Sequence, residues 1–553
     1  MIDINIKIDL PSLICGKYTR RKDEKLKIKR RNKKIEIGFP SLSSKEVKLA
    51  AILLKKSLKQ SHDRTIRETV DILNQVYNLW INPNYEIRKE AEEILSIVTG
   101  QSKRLIKFEL NEVIKLFEKE NLLKFLGSQI DNIDYLDQWI KKGDIFLHAQ
   151  PKGSILHNLA GNAFVLGPIS LLYGIITKNV NLAKIASTEP YFVVRFIQSI
   201  YDVDKKFARE LAVIYWKGGH KDIYKFLFDE ELIDGVIAWG GYKSISNLKK
   251  LSAHYGVKFI EHGPKFSFSI ITSDFLGNTK LLEKASKEIA KDIVIWNQYA
   301  CTSPRIIFVQ EKKSLNFENP DYKLRQEMIG SMKHIEKNQL IRFSNKQTEY
   351  DSQLMMLMSE SVENLRKVIT HGSAIGFAKL LSIELEKVSK YLPRTYMTEA
   401  EAMNTLNKRD YYILNVESKG WGKIFIPSNS QLVQNTDWTI FYLRKMPELI
   451  DIDYCINRFI IITPFTFLEE IEEWIKQMQI QKYIQTFSIF GKMKMVKKLA
   501  DKLSFLGACI FTLPGEMNVH KYRAPHDGSY DLKELVRWVS INFLEEDLND
   551  FTY

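Results

Sequence analysis

Cys301 is the residue in this chain whose surroundings best suit nucleophilic chemistry. Residues 292–310 read DIVIWNQYACTSPRIIFVQ. The thiol is flanked by Asn297, Gln298, Thr302, Ser303 and Pro304, polar or helix-breaking neighbours rather than the apolar run of a core strand. Pro304 lacks a backbone donor and biases Ser303 away from helix, so the thiol falls on a loop. A thiolate is a strong nucleophile once local dipoles or charges favour its ionisation. The competing reading is a small core hydrophobe, a common role of free cysteine. Three other places carry usable chemistry. Gly240-Gly241 ends an apolar run and precedes a helical pattern, an arrangement that can hold an anion on free amides or serve as an ordinary turn. Lys184 ends another apolar run, where open α/β sheets bind ligands and where surface lysines are also common. His526-Asp527-Gly528 could tune a proton or simply form a turn.

The elements that must position these groups follow from periodicity. Leu281, Ala285, Ile289 and Ile293 recur every four residues, a helical stripe leading to an exit at Asn297-Gln298. Residues 305–309 then read as a buried strand. Residues 155–190 read as strand, turn at Gly161-Asn162, helix over 166–178 and strand over 180–185, a βαβ unit with a parallel sheet. Further strands are expected at 144–150, 211–216, 236–239, 257–260 and 268–271. A helical region spans 44–126, interrupted at Trp80-Ile-Asn-Pro-Asn. At the start, alternation over 2–10 predicts a strand. Leu26, Ile28, Ile35 and Ile37 predict a basic hairpin turning at Arg30-Arg31-Asn32-Lys33.

Composition narrows the class. The 553 residues are 45% hydrophobic and 27% charged, as in ordinary globular domains. Four scattered cysteines (Cys15, Cys301, Cys455, Cys509) form no CxxC or Cys/His zinc spacing. No metal or disulfide framework is expected, and a reducing cytoplasm suits them. The most apolar run, 163–176, is broken by Gly167-Pro168 and is shorter than the ~20 residues of a membrane span. Much of the net charge of +14 comes from residues 17–34, with 11 lysines and arginines against Asp23 and Glu24. That run is a solvated face or a dock for an anion or acidic partner; nucleic acid is not expected, since no recognised module accompanies it.

The order Asn-Gln-x-x-Cys-x-x-x-Arg-x-x-Phe-Val resembles the nucleophile segment of the aldehyde dehydrogenase superfamily. Together with HNLAGNAFVLGPISLLYGIITKN, AKIASTEP, VIYWKGG, VIAWGG, FIEHGPKFS, TFSIF and HDGSYDLKELVRWVS, in that family's order, the chain resembles the LuxC family of acyl-CoA reductases over roughly 44–540. The resemblance implies an α/β, aldehyde dehydrogenase-like fold: a Rossmann-type cofactor domain with a helical first part (44–292), an α/β catalytic domain (293–513), a returning segment (514–553) and a small oligomerisation element. The strand and basic hairpin of 1–43 fall outside it. It implies that Cys301 is the nucleophile and that Asn162 joins the Cys301 amide in the oxyanion hole. Lys184 would contact the cofactor, Gly240 and Gly241 would lie near its pyrophosphate, and Glu261 would be the general base. His157 and His262 would support the matched segments. NAD-preferring superfamily members often carry a glutamate three residues after the lysine. Ser187 stands there, followed by Thr188, which implies NADPH; Glu189 is the competing carboxylate. The superfamily's later Glu-x-Phe-Gly-Pro segment has only a loose counterpart at 457–464. The implied reaction reduces a long-chain acyl-CoA, or an acyl group on a synthetase or carrier protein, to an aldehyde in a homo-oligomer. An oxidative aldehyde dehydrogenase, or a non-catalytic scaffold using the hairpin, are the alternatives.

Overall fold

The computed structural model describes residues 4–30, 33–312, 373–394, 397–428, 436–519 and 524–543. Ile2 and the hairpin tip Arg31-Asn32 lie outside them.

The first large sheet has a parallel part made of β8 (Ser154–Asn158), β9 (Val180–Lys184), β10 (Leu211–Ile214), β11 (Gly235–Trp239) and β12 (Lys258–His262). A short hairpin, β2 (Ser12–Ile14) and β3 (Lys17–Thr19), extends it antiparallel beyond β10; its turn uses positive φ at Cys15 and Gly16. The order across the sheet is β12-β11-β8-β9-β10-β2-β3. The strand order reverses between β8 and β11, the topological switch point where open α/β sheets bind ligands. The expected βαβ unit is there, with the largely apolar, buried helix α7 (Leu166–Ile176) crossing between β8 and β9. Sequence alternation did not expose the β2-β3 hairpin because each strand is only three residues long.

The helical region forms α1 (Ser44–Lys56), α2 (Leu58–Asp63), α3 (Ile66–Ile81), α4 (Glu86–Thr99), α5 (Lys103–Ile114) and α6 (Lys119–Ile130). The apolar stripes of α3 to α6 join one face of the first sheet in one continuous core that includes Trp80, Phe117 and Phe196. α1 packs on the opposite face.

The second sheet is centred on β13 (Phe266–Ile271), β14 (Pro304–Gln310), β17 (Phe459–Phe465) and β18 (Ile484–Phe490). β15 (Gly422–Phe425) and β16 (Thr439–Leu443) flank it on one side and β19 (Ile510–Thr512) on the other. The order is β15-β16-β17-β14-β13-β18-β19, parallel except at the β15 edge. The chain passes from the first sheet to the second at Gly263–Lys265, ahead of the helix that carries the 281–293 stripe.

β12 also runs two residues further than the sequence pattern suggested, through Glu261 and His262. Because strand side chains alternate, this sends the two residues to opposite faces. Glu261 is exposed and His262 is buried.

The basic N-terminal segment is built into the fold. β4 (Glu24–Arg30) and β5 (Lys33–Phe39) form the expected hairpin, and β5 also pairs in parallel with β1 (Ile4–Asp9). Arg30 donates to the carbonyls of Ile97 (2.7 Å) and Val98 (3.1 Å) and pairs with Glu401 at 2.8 Å. At the other end of the chain, β20 (Val536–Ile541) returns to pair antiparallel with β7 (Ile145–Pro151), which also pairs with β6 (Ile140–Lys142).

Candidate active site

Cys301 follows α11 (Thr279–Val294), whose Leu282, Ala285, Ile289 and Ile293 are buried. Between helix and thiol the backbone takes three consecutive left-handed residues: Trp296 (φ 58°), Asn297 (φ 48°) and Gln298 (φ 65°). Side-chain-bearing residues lose roughly 1–2 kcal/mol each in this conformation, so the turn needs external support. Glu109 on α5 accepts the Trp296 amide (2.7 Å) and the Gln101 side chain (2.6 Å). Arg458 is fully buried, and its Nε donates to Asn297 Oδ1 at 2.8 Å while Nη2 donates to the Leu392 carbonyl at 3.1 Å. Gln298 donates to the carbonyls of Pro304 and Phe459, each at 2.8 Å, which ties the two ends of the thiol loop together. Net hydrogen-bond contributions of about 1–3 kcal/mol each are enough to offset the turn. Asn297 and Gln298, read in sequence as polar flanks of an exposed loop, are buried supports of it.

The thiol itself is half-buried. The Ser267 hydroxyl donates to the Cys301 carbonyl at 2.7 Å and accepts the Thr486 amide at 3.3 Å, which locks the loop against β18. Thr302 Oγ1 donates to Asn518 Oδ1 at 2.8 Å. Burial and then the charge of Asp527 push the thiol up to about 11; the Gln485 side chain and the amides of Cys301 and Thr302 act in the opposite direction.

On that side of the thiol lies a polar cluster that the sequence did not assemble. Gln485 Nε2 donates to Asp527 Oδ1. The other Asp527 oxygen faces His262 Nδ1 at 3.3 Å and His526 Nδ1 at 3.4 Å. His262 Nε2 faces Asp531 at 3.4 Å, and the ring stacks on Trp239 at 3.9 Å. Burial opposes a charge on His262, but Asp527 and Asp531 outweigh it and raise the imidazole to about 9. Burial would likewise raise Asp527, yet the two histidines hold it below the usual carboxylate range. Ligand atoms of His262, His526 and Asp531 lie within 4.8 Å of one another. Both nitrogens of His262 face carboxylates, Asp527 at Nδ1 and Asp531 at Nε2. It borders a cavity of about 570 Å³ that also touches Tyr242, Lys265 and Lys482.

The other sequence candidates divide between the two sheets. Asn162 is exposed in the loop between β8 and α7, with no side-chain hydrogen bond among the described residues. That loop is pressed against the one after β9, since the Thr188 hydroxyl occupies the space a Cβ on Gly161 would need. Lys184 ends β9, and its ammonium lies 5.5 Å from the Trp216 ring; burial pulls it down to about 8. Ser187 and Thr188 are exposed, and Ser187 hydrogen-bonds Tyr215. Glu189 is turned inward, where it accepts the amides of Tyr191 (3.0 Å) and Phe192 (2.9 Å) at the start of α8 (Tyr191–Val203). Gly240 (φ 152°) and Gly241 lie in the turn from β11 to α10 (Tyr242–His254), with open space where their Cβ atoms would stand. A 13-residue helix behind an unobstructed glycine turn is a fitting cradle for a dinucleotide phosphate. Glu261 pairs with Lys249 at 2.7 Å on the outer face of β12. His157 is a core residue held by Ser170 (2.8 Å) and Asn181 (2.9 Å), and burial lowers it to about 4.

This geometry has known counterparts. The profile of the family described as acyl-CoA reductase (LuxC) matches residues 61–375 and 373–538. The long-chain acyl-protein thioester reductase of Aliivibrio fischeri is 30% identical over 288 residues, covering 49% of this chain and 58% of that protein. Its namesake from Vibrio harveyi is 26% identical over 315 residues, covering 56% and 62%. The chain thus matches somewhat over half the length of these curated relatives. An aldehyde dehydrogenase from Brucella melitensis superposes with a TM-score of 0.63 over 96% of each chain at 14% identity, a likeness of fold. With the family profile spanning most of its length, the chain belongs to the LuxC family of acyl-CoA reductases, built on the aldehyde dehydrogenase fold.

Proposed function

We propose that this protein reduces a long-chain acyl thioester to the fatty aldehyde with NADPH, through an acyl-enzyme on Cys301. The observation that carries the reading is the rigid loop that delivers one half-buried thiol from a braced left-handed turn. The relatives' printed name, long-chain acyl-protein thioester reductase, supports an acylated protein or acyl-CoA as donor.

The chemistry asks little of the protein beyond position and charge. The Cys301 sulfur attacks the thioester carbon, the bond to the departing sulfur breaks, and the proton of Cys301 ends on the released thiol. Asn162 and the Cys301 amide are the oxyanion donors in this reading, each worth about 3 kcal/mol. NADPH, when bound, supplies the hydride that turns the acyl group into an aldehyde. The freed Cys301 thiolate then takes up a proton. The open turn at Gly240-Gly241 suits the pyrophosphate. Lys184, Ser187 and Thr188 suit a 2′-phosphate, and the inward turn of Glu189 removes the carboxylate that would repel it. The three-stranded sheet of β20, β7 and β6 supports association between copies, since Trp139 and Trp538 are partly exposed there. A cytoplasmic setting fits the four free cysteines, and no helix among the described residues is long and apolar enough to cross a membrane.

The test is intact mass spectrometry after mixing with acyl-CoAs of increasing chain length. The expected result is one acyl adduct that disappears with NADPH as aldehyde forms, and that Cys301→Ser abolishes. An adduct on another residue, or none with any donor, would remove the acyl-enzyme.

A further inference from the structure

We propose that Asp527, Gln485 and His262 are positioning residues that set the protonation of Cys301, in place of the superfamily glutamate position that this fold points outward. The inference rests on Cys301 being the reacting thiol. Its test reads the thiol directly and does not require turnover.

The argument begins with backbone. The Ser267 hydroxyl joins the Cys301 carbonyl to the Thr486 amide, so the residue before Thr486 on β18 is fixed beside the thiol loop. That residue is Gln485. Its carboxamide nitrogen carries two protons, one of which goes to Asp527, and the side chain also lowers the thiol. The Cys509 amide holds the Gln485 carbonyl at 2.9 Å, and the Gln485 side-chain oxygen is buried without a partner. The amide therefore has little freedom to flip, because a flip would bring its oxygen against the Asp527 carboxylate.

Behind Gln485, Asp527 is half-buried and faces two imidazoles. A carboxylate there disfavours a second negative charge on the thiol, and an imidazolium on His262 offsets that effect. The remaining groups around the cluster are Asp531, on the far side of His262, and Lys265 and Lys482, on the cavity wall. Arg305, on the strand after the thiol, also senses the charge of Cys301. Asp527 is thus joined to Gln485, the side chain that β18 places beside the thiol loop. Asp527 keeps the thiol protonated and Gln485 favours the thiolate, while His262 acts through Asp527, whose charge it offsets.

Those signs define the experiment. The rate of iodoacetamide labelling at Cys301 is followed against pH by peptide mass spectrometry on the full-length protein, with Cys455 as the buried reference. Asp527→Asn suits the local backbone, because residue 527 has φ 49° and asparagine tolerates that region. It should move the labelling profile to lower pH and speed labelling at neutral pH, by up to about tenfold if the profile moves by one pH unit. Gln485→Ala and His262→Gln should move the profile to higher pH. Thermal melting and NADPH binding report whether each variant is folded. An unmoved profile in Asp527→Asn, or a displacement of the same sign in all three folded variants, would overturn the assignment. If the signed displacements appear but no acyl adduct forms, this tuning stands and the proposed reaction falls.

Discussion

Two polar clusters serve the Cys301 loop, one on the turn that precedes it and one around Asp527, and they do different work. Upstream, Glu109, Arg458 and Gln298 act mainly on backbone groups and on two amide side chains, Asn297 and Gln101. Downstream, Gln485, Asp527 and His262 act on one another, and Gln485 and Asp527 also act on the sulfur. The first cluster is a brace, whose failure lets the chain move. The second is an electrostatic setting, whose failure leaves the chain in place and changes the charge of one atom. An acid beside a nucleophile therefore has no fixed meaning. Glu109 and Asp527 are both carboxyl groups of the same site, and what separates them is that Glu109 accepts from amides alone, whereas Asp527 faces two ionisable rings besides one carboxamide.

The contrast breaks most visibly at Arg458. Arg458→Met removes the donor to Asn297 and leaves several buried acceptors unpaired. A loss of about 3–5 kcal/mol is expected, read as a large fall in melting temperature or as insoluble protein. A melting curve close to wild type would show that the turn stands without its brace.

A smaller and more selective effect is expected at Glu109. Burial raises this carboxyl to about 8 against two opposing hydrogen bonds, so near neutral pH it is largely protonated and a carboxamide can stand in for it. Glu109→Gln should keep acylation of Cys301 near the wild-type rate, because its oxygen still accepts the Trp296 amide. Glu109→Ala orphans that amide at a cost of about 1–3 kcal/mol and should slow acylation about 10- to 100-fold. Stopped-flow acylation of the two variants decides it, and equal rates would detach the brace from the chemistry.

The pH dependence of the thiol is subtler. Cys301 ionises near 11, so labelling of the wild type should rise with each unit of pH from 7 to 10 without a plateau. The sign follows from the thiolate being the reactive form. A plateau below pH 8 would mean that the downstream cluster favours the anion instead.

The smallest effect is assigned to Glu261, one residue from His262 but on the other face of β12. Glu261→Gln breaks an exposed pair with Lys249, an interaction worth at most about 1 kcal/mol. Thioester reduction should be nearly unchanged by steady-state assay, whereas a loss comparable to that of Cys301→Ser would bring Glu261 back into the site.

These two clusters also mark the limit of what the sequence could tell. The βαβ unit, the basic hairpin and the helix–loop–strand around Cys301 were legible because each is set by local periodicity and by Pro304. The left-handed turn was not, since Trp296-Asn297-Gln298 contains no glycine to announce it and its supports come from Glu109 and Arg458, far away in the chain. Reading β12 as ending at Ile260 hid the alternation that turns Glu261 outward and His262 inward. The cluster of residues 262, 485, 527 and 531 could not be read from spacing, because only the packing of β12, β18 and the C-terminal loop assembles it. Residues 184, 240 and 241 stood out from their strand ends and turn, residues 162, 187 and 188 were named from family likeness, and all lie in the loops and strand ends of the first sheet.

The return of β20 to β7 has a consequence for how the molecule is made. Residues 536–541 complete a sheet begun at 140–151, and Asp527, which restrains the thiol, lies just before them in the chain. During vectorial synthesis the Cys301 loop leaves the ribosome more than two hundred residues ahead of Asp527. For that interval the nascent chain carries its sulfur without the neighbour that quiets it, and the small sheet of β6 and β7 waits with an open edge. The thiol then acquires its final character only once residues 485 and 527 have been made, not when the helix and strand that carry it fold.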